Sequence, residues 1–269
     1  MTIKVCLAGA TGWAGSALAR SIARVEDIEL VAAVSRTHAR KTLGEALGEA
    51  LGEPRLGCPV YATAEEALAH PCDVFFEYTT PDVAKAICLL ALARGAHLVV
   101  GTSGLTDADY EDIAAVASQH QRGVLAVGNF ALTVVLLQKF AEMAAKFIPQ
   151  WEIIDYASDG KKDAPSGTVR ELAARLSRVR PSELTVPLEK TQGVVETRGA
   201  RMAGSQVHSV RLPGFVISAE IIFGMPDQKL TIRHDAGSSA QPYVDGALLA
   251  IRKVNSFVGL RRGLDSVLD

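Results

Sequence analysis

Seven residues near the amino terminus, Gly9-Ala10-Thr11-Gly12-Trp13-Ala14-Gly15, leave this chain few ways to fold. They follow directly on the apolar run 3–8, which suits a buried parallel strand, and they lead into a helical pattern over 16–25. The first glycine permits a tight turn, the second lets a pyrophosphate approach the backbone, and the third lets helix pack on strand. The spacing is Gly-x-x-Gly-x-x-Gly rather than Gly-x-Gly-x-x-Gly, but the physical demands are the same. A tight turn without a ligand is the plainer reading. The position between first strand and first helix favours a phosphate site built from Gly9, Ala10, Thr11, Gly12, Trp13 and Ala14.

The strand–helix pattern then repeats. Strands are expected over 28–34, 60–61, 73–77, 97–100 and 124–127, and helices over 64–69, 81–93 and 107–120. Pro81 suits the first turn of its helix. Alternation of this kind predicts an α/β, Rossmann-type doubly wound parallel sheet, with ligands at the carboxyl ends of its strands. Arg36, Thr79, Gly101, Thr102, Ser103, Gly128, Asn129 and Phe130 all fall at such ends and join the glycine turn as candidate dinucleotide-binding residues. The second strand ends in Ser35-Arg36, with no carboxylate to take a free ribose 2′-hydroxyl. Arg36 therefore points to NADPH over NADH. Leu43-Gly44-Glu45 recurs at 47 and at 51; a period of four is too short for a solenoid, and the glycines argue against a firm helix. A mobile surface segment is expected there.

After Phe130 the character changes. A long apolar helix is expected over 132–147, a strand over 151–158, a polar excursion over 181–205, and strands over 207–211, 215–223 and 229–234. Strands without intervening helices imply a mixed or antiparallel sheet in an α+β domain. A last helix over 242–257 returns to the first domain, so the 269 residues divide into 1–130 plus 240–269, dinucleotide-binding, and 131–239, for substrate binding and oligomerisation.

Within the second domain lies Lys161-Lys162-Asp163-Ala164-Pro165-Ser166-Gly167-Thr168. Pro165 keeps Ala164 out of the helical region, and Ser166 can cap a new helix, leaving the N–H groups of Gly167 and Thr168 free. With a lysine just upstream, these groups form a cradle for a carboxylate or phosphate. An ordinary strand–loop–helix connection is the alternative. Asp163 is expected to steady the loop through an Asx-type bond or a lysine pair. Tyr156, His208 and His234 read as packing or structural groups.

Composition excludes several classes. Net charge is -2, with no electrostatic reason to expect nucleic acid or an anionic membrane. The four cysteines are scattered, without metal-ligand spacing, and read as buried thiols in a reducing compartment. No signal peptide is visible and the apolar stretches are broken by charges such as Arg94, so a cytoplasmic protein that neither spans a membrane nor binds a metal is expected.

The glycine turn, Glu77-Tyr78-Thr79-Thr80-Pro81, Gly101-Thr102-Ser103-Gly104, Asn129-Phe130, Glu152-Ile153-Ile154 and above all Lys161 to Thr168 together resemble the dihydrodipicolinate reductase family, along essentially the whole length. The resemblance implies a nicotinamide-dependent reductase of lysine and diaminopimelate biosynthesis that reduces a cyclic imine carboxylate with NADPH or NADH, assembled as a homotetramer. It implies a Lys161 that is both catalytic and substrate-binding, with Ser158, Ser166, Gly167 and Thr168 as further substrate-binding residues. Family members carry a His-His pair where this chain has Ala157 and Ser158, and no histidine lies between His120 and His208. Asn-Phe-Ser-x-Gly is here Asn129-Phe130-Ala131-Leu132-Thr133, a Glu-His pair is Ser218-Ala219, and Trp13 replaces a common arginine. A same-fold reductase acting on a different imine, or a non-catalytic cofactor-binding homologue, stay open as alternatives.

Overall fold

The computed structural model describes residues 2–49 and 54–268, and these divide into two compact units: those up to 131 together with 240–268, and 132–239. The first unit opens with β1 (Ile3–Ala8), α1 (Trp13–Ile22) and β2 (Ile28–Val34). Helix α1 starts three residues earlier than its apolar periodicity suggests. Gly12 is extended and accepts the Ser16 N–H through its carbonyl at 2.9 Å, so Trp13, Ala14 and Gly15 form the first turn.

The segment expected to be a mobile surface loop instead contains α2 (Leu43–Leu47). Thr42 and Glu45 form a reciprocal capping box and Gly48 closes the helix in the left-handed region at φ 71°. Such caps contribute about 0.5–2 kcal/mol, which offsets the roughly 1 kcal/mol that the interior Gly44 costs. The third copy of the repeat, at 51–53, lies outside the described residues.

Next come β3 (Val60–Tyr61), α3 (Ala64–Ala67), β4 (Val74–Glu77), α4 (Pro81–Ala93), β5 (His97–Val100), α5 (Asp107–Gln119) and β6 (Gly123–Ala126). All these strands pair in parallel. Phe75 and Phe76 on β4 are fully buried, each stabilising the unit by about 1.5–3 kcal/mol.

The second unit holds α6 (Leu132–Ala145), β7 (Gln150–Ala157), α7 (Gly167–Val179), β8 (Ala200–Met202), β9 (Ser205–Arg211), β10 (Ile217–Met225) and β11 (Gln228–Ala236). Its sheet runs β11-β10-β7-β9-β8, with β7 and β9 parallel and the other pairs antiparallel. Strict alternation on β7 turns Trp151, Ile153, Asp155 and Ala157 to the buried face, where Leu137 and Ala141 of α6 and Leu172 and Leu176 of α7 complete the core. The segment expected to be an irregular excursion contributes β8, paired with β9.

The chain closes with α8 (Val244–Lys253), shorter than the helix expected over 242–257, and β12 (Gly259–Arg262). Strand β12 completes the first unit's seven-stranded sheet in the order β12-β6-β5-β4-β1-β2-β3. Arg252 of α8 reaches Asp27 at 2.6 Å, tying the chain's end to the start of β2.

Candidate active site

The glycine turn forces a close approach of backbone to backbone. Gly9 has φ +76°, and a Cβ there would lie 2.0 Å from the Tyr78 carbonyl oxygen. A Cβ on Gly15 would lie 2.1 Å from the Gly9 carbonyl oxygen. Helix α1 therefore starts almost on top of β1, with no side chain capping it and no acid in its first turn. Uncapped first-turn N–H groups and the positive end of the helix dipole favour an anion.

Two clefts meet at Gly12, Tyr78 and Thr79. One, of about 700 Å³, runs over the end of β2 past Ser35, Arg36 and Thr37, with Asp82 among its other lining residues. The second, of about 240 Å³, runs past Trp13, Ala14 and Gly15 to Gly101, Thr102 and Ser103. The Thr102 hydroxyl in that cleft is buried and has no hydrogen-bond partner. An uncapped helix start and an orphaned hydroxyl are what a dinucleotide's phosphates and amide would complete, so the residues present fit NAD(P).

Of the other expected cofactor residues, Ala10 is fully buried, and the Thr11 hydroxyl meets that of Ser35 at 2.8 Å. Gly128, Asn129 and Phe130 line neither cleft. Asn129 caps its own turn by accepting the Ala131 N–H at 2.9 Å, and buried Phe130 packs edge-on against Tyr78 at 5.6 Å. Behind Thr79 sits fully buried Glu77, which accepts the Thr79 N–H at 2.7 Å and also its hydroxyl. Arg36 is exposed and faces a competing charge: the Thr80 hydroxyl and, more weakly, the Arg36 guanidinium hold the Asp82 carboxyl below its ordinary value.

In the second unit the loop from β7 to α7 gathers the other candidates. Lys161 Nζ lies 2.6 Å from Asp163 Oδ1, and the Lys161 N–H donates to the Ser158 carbonyl at 3.1 Å. This lysine pair settles the two options for Asp163, whose carboxyl Lys161 holds below its usual range. Pro165 follows a cis peptide bond. Ser166 stands at the cap position of α7, but its hydroxyl makes no capping bond; it is buried and unpartnered. The first-turn N–H groups at Gly167 and Thr168 are thus left open by the serine expected to cap the helix.

Sequence reasoning missed what lies beneath this loop. Asp155, fully buried, accepts the Ser166 N–H at 2.8 Å and an Arg211 Nη2–H at 2.7 Å. The signal was present in the alternation of β7, which puts a lone carboxylate among Trp151, Ile153 and Ala157. Ala157 is buried at the strand end, so no imidazole stands there. His208 meets Glu152 at 2.7 Å and His234 meets the Thr133 hydroxyl at 2.8 Å. Burial holds the His234 imidazole below its ordinary value. Tyr156 donates to Glu220 at 3.1 Å and stacks on Phe215. The cysteines are free, and burial pushes the Cys58 thiol up to about 12, so it is no nucleophile at neutral pH. Among the described residues no cluster could hold a metal ion, and no helix is long and apolar enough to cross a membrane.

A parallel sheet whose glycine turn leads into an uncapped helix, followed by a second unit whose Lys161 loop leads into another, is the framework of an oxidoreductase of the nicotinamide-dinucleotide class. Residues 3–130 match the family described as dihydrodipicolinate reductase, N-terminus, and residues 133–268 the corresponding C-terminus. The chain is 35% identical over 267 residues to the 4-hydroxy-tetrahydrodipicolinate reductase of Lactococcus lactis, covering 99% of this chain and 98% of that one. It is 37% identical over 270 residues to that of Geobacillus kaustophilus, covering both completely. A solved structure, dipicolinate-bound dihydrodipicolinate reductase from Paenisporosarcina sp. TG-14, superposes with a TM-score of 0.88 at 32% identity over the whole of both chains. An amine dehydrogenase from Mycobacterium smegmatis, with a TM-score of 0.68 at 14% identity, shares the fold. The chain belongs to the dihydrodipicolinate reductase family, and is an NAD(P)H-dependent oxidoreductase.

Proposed function

We propose that this chain reduces 4-hydroxy-tetrahydrodipicolinate, the cyclic imine dicarboxylate in the names of its relatives, with NADPH as the preferred cofactor. The observation that carries this reading is a loop that bears Lys161, paired with Asp163 at 2.6 Å, and leads into the uncapped start of α7. The nicotinamide, when bound, supplies the hydride. The first unit would hold the dinucleotide through Gly9, Ala10, Thr11, Gly12, Trp13 and Ala14 toward its phosphates, Arg36 toward a ribose 2′-phosphate, and Thr79, Gly101, Thr102 and Ser103 along the smaller cleft. Phe130 backs the wall of that cleft by packing on Tyr78, and Gly128 and Asn129 lead into Phe130. The second unit grips the substrate: the N–H groups of Gly167 and Thr168 and the hydroxyls of Ser158 and Ser166 take a carboxylate. Lys161 carries the ammonium that offsets the dicarboxylate's charge and donates the proton the reduction requires. A lysine ammonium stays charged to high pH and is a weaker acid near neutrality than an imidazolium.

The test is NADPH oxidation with enzymatically generated 4-hydroxy-tetrahydrodipicolinate beside a panel of other cyclic imino acids. Turnover of the first above the panel supports the reading. A second reading, a related imine as the true substrate, is favoured by buried Ala157 and by Ser158 where an imidazole pair is usual; turnover confined to another panel member would select it.

A homotetramer formed through the second unit's sheet goes with this reading. Its support is the sheet face opposite α6 and α7, where Ile154 and Ile222 stay part-exposed. Light scattering would read the assembly. Placement in the cytoplasm, where reduced dinucleotide is available, is part of the same proposal.

A further inference from the structure

The geometry points to Asp155 and Arg211 as a buried clamp that positions the carboxylate cradle for substrate without touching substrate themselves. This rests on the cradle reading above and adds to it the residues that hold the loop in shape.

The loop from Ser158 to Ser166 has no strand or helix of its own, so something else must fix its backbone. Asp155 Oδ2 accepts the Ser166 N–H at 2.8 Å, and Arg211 Nη2 donates both to that carboxylate oxygen and to the Asp163 carbonyl, each at 2.7 Å. The two side chains thus seize the backbone on either side of Ala164-Pro165. The pair is deeply set, with Asp155 at 0% exposure and the Arg211 side chain at 16%. Hydrogen bonds to charged groups are short and strong, and a low-dielectric setting strengthens them further.

The consequence lies in which N–H group is consumed. At an ordinary helix start the capping side chain bonds the N–H of the second or third helical residue. Here the clamp takes the N–H of the cap residue Ser166 itself, and the Ser166 hydroxyl makes no capping bond. The helix start is held rigid while its first-turn donors at Gly167 and Thr168 stay available. Holding Asp163 through its carbonyl also leaves its carboxylate free to pair with Lys161. One buried pair therefore sets both the donors of the cradle and the platform on which the lysine sits.

The variants Asp155→Asn and Arg211→Lys test this, with Ser209→Ala as a control, since the Ser209 hydroxyl touches Asp155 only at 3.4 Å. The readouts are the KM for substrate, the affinity for pyridine-2,6-dicarboxylate, NADPH affinity and thermal unfolding. Loss of a contact to a buried charge predicts a KM and a dicarboxylate Kd raised by about tenfold or more in both clamp variants, with kcat reduced far less. NADPH affinity and Ser209→Ala should stay within about twofold of wild type. Arg211→Lys keeps the charge beside Asp155 and loses the fork to the Asp163 carbonyl, so it should be the milder of the two.

Unchanged dicarboxylate affinity in a cooperatively folded Asp155→Asn or Arg211→Lys would overturn the clamp while leaving the cradle intact. Failure of the wild type to bind the dicarboxylate would overturn the cradle, and the clamp with it. Equal loss of NADPH and dicarboxylate affinity, or loss of cooperative unfolding in both variants, would overturn the positioning role in favour of a structural one.

Discussion

Lys161 Nζ and Asp163 Oδ1 stand 2.6 Å apart, two residues along the same loop. The aspartate occupies the ammonium in the way a substrate carboxylate would. Lys161→Ala is expected to abolish measurable turnover and weaken pyridine-2,6-dicarboxylate binding, whereas Asp163→Asn should leave the ammonium in place and reduce affinity less. Isothermal titration of the two variants reads the difference, and equal losses would show that the lysine acts only through its partner.

The proposed preference for NADPH rests on Arg36, which lines the larger cleft. Arg36→Ala should cost NADPH about 1.5–3 kcal/mol of binding, the usual range for a hydrogen bond to a charged group, and leave NADH nearly unchanged. Asp82 faces the same cleft with opposite charge, so Asp82→Asn should shift preference further toward NADPH. Fluorescence titration with both dinucleotides decides it; parallel losses for the two in Arg36→Ala would refute the assignment.

The absence of an imidazole at the strand end predicts a pH profile. Positioned general acids contribute ~10²–10⁴-fold, so turnover of 4-hydroxy-tetrahydrodipicolinate should fall well below that of a histidine-bearing relative. The profile of kcat should show no inflection near the histidine range, and Ser158→Ala should matter less than Lys161→Ala. Introducing Ala157→His with Ser158→His tests the loss directly. The first of these enters a fully buried position, where overpacking typically costs 1–3 kcal/mol, about, so unfolding must be measured alongside. A wild-type rate equal to that of such relatives would mean another group delivers the proton.

Acid stability has its own signature in α5. The Thr106 hydroxyl and N–H, aided by Lys85, hold the Asp109 carboxyl down from 3.8 to about 2. A group depressed in the folded state contributes stability above its unfolded value and loses that contribution as pH falls through its folded one. The Tm difference between wild type and Asp109→Asn should therefore be fully present above pH 4, roughly, and vanish toward pH 2, roughly. A constant difference across that window would contradict the cap's electrostatic part.

Much of the first unit is legible in the sequence because its signals are local. Gly9, Gly12 and Gly15 name their own turn, and each buried strand is a short apolar run beside it. Strand β12 is not legible: Gly-Leu-Arg-Arg has no strand-like alternation of its own, and becomes a strand only by pairing with β6. Helix α2 was hidden by Gly44, whose cost is offset by a cap formed between Thr42 and Glu45. In the second unit the Lys161 loop declares itself, but its support does not. Asp155 and Arg211 lie 56 residues apart and meet only because β7 and β9 run side by side. A pattern read along the chain has no access to a contact created across a sheet.

Trp13 gives the chain a spectroscopic label that no one needs to install. The sequence has two tryptophans. Trp151 is buried in the second unit, its indole N–H donated to Ser205 at 2.9 Å. Trp13 is 61% exposed at the mouth of the smaller cleft, edge-on to Tyr243 at 5.7 Å. One emitter is solvent-facing and the other is sequestered, one in each unit. Quenching by an aqueous quencher should thus address the first unit alone, and a dinucleotide that shields Trp13 should be visible as lost quenching while the red-shifted and blue-shifted components are followed separately.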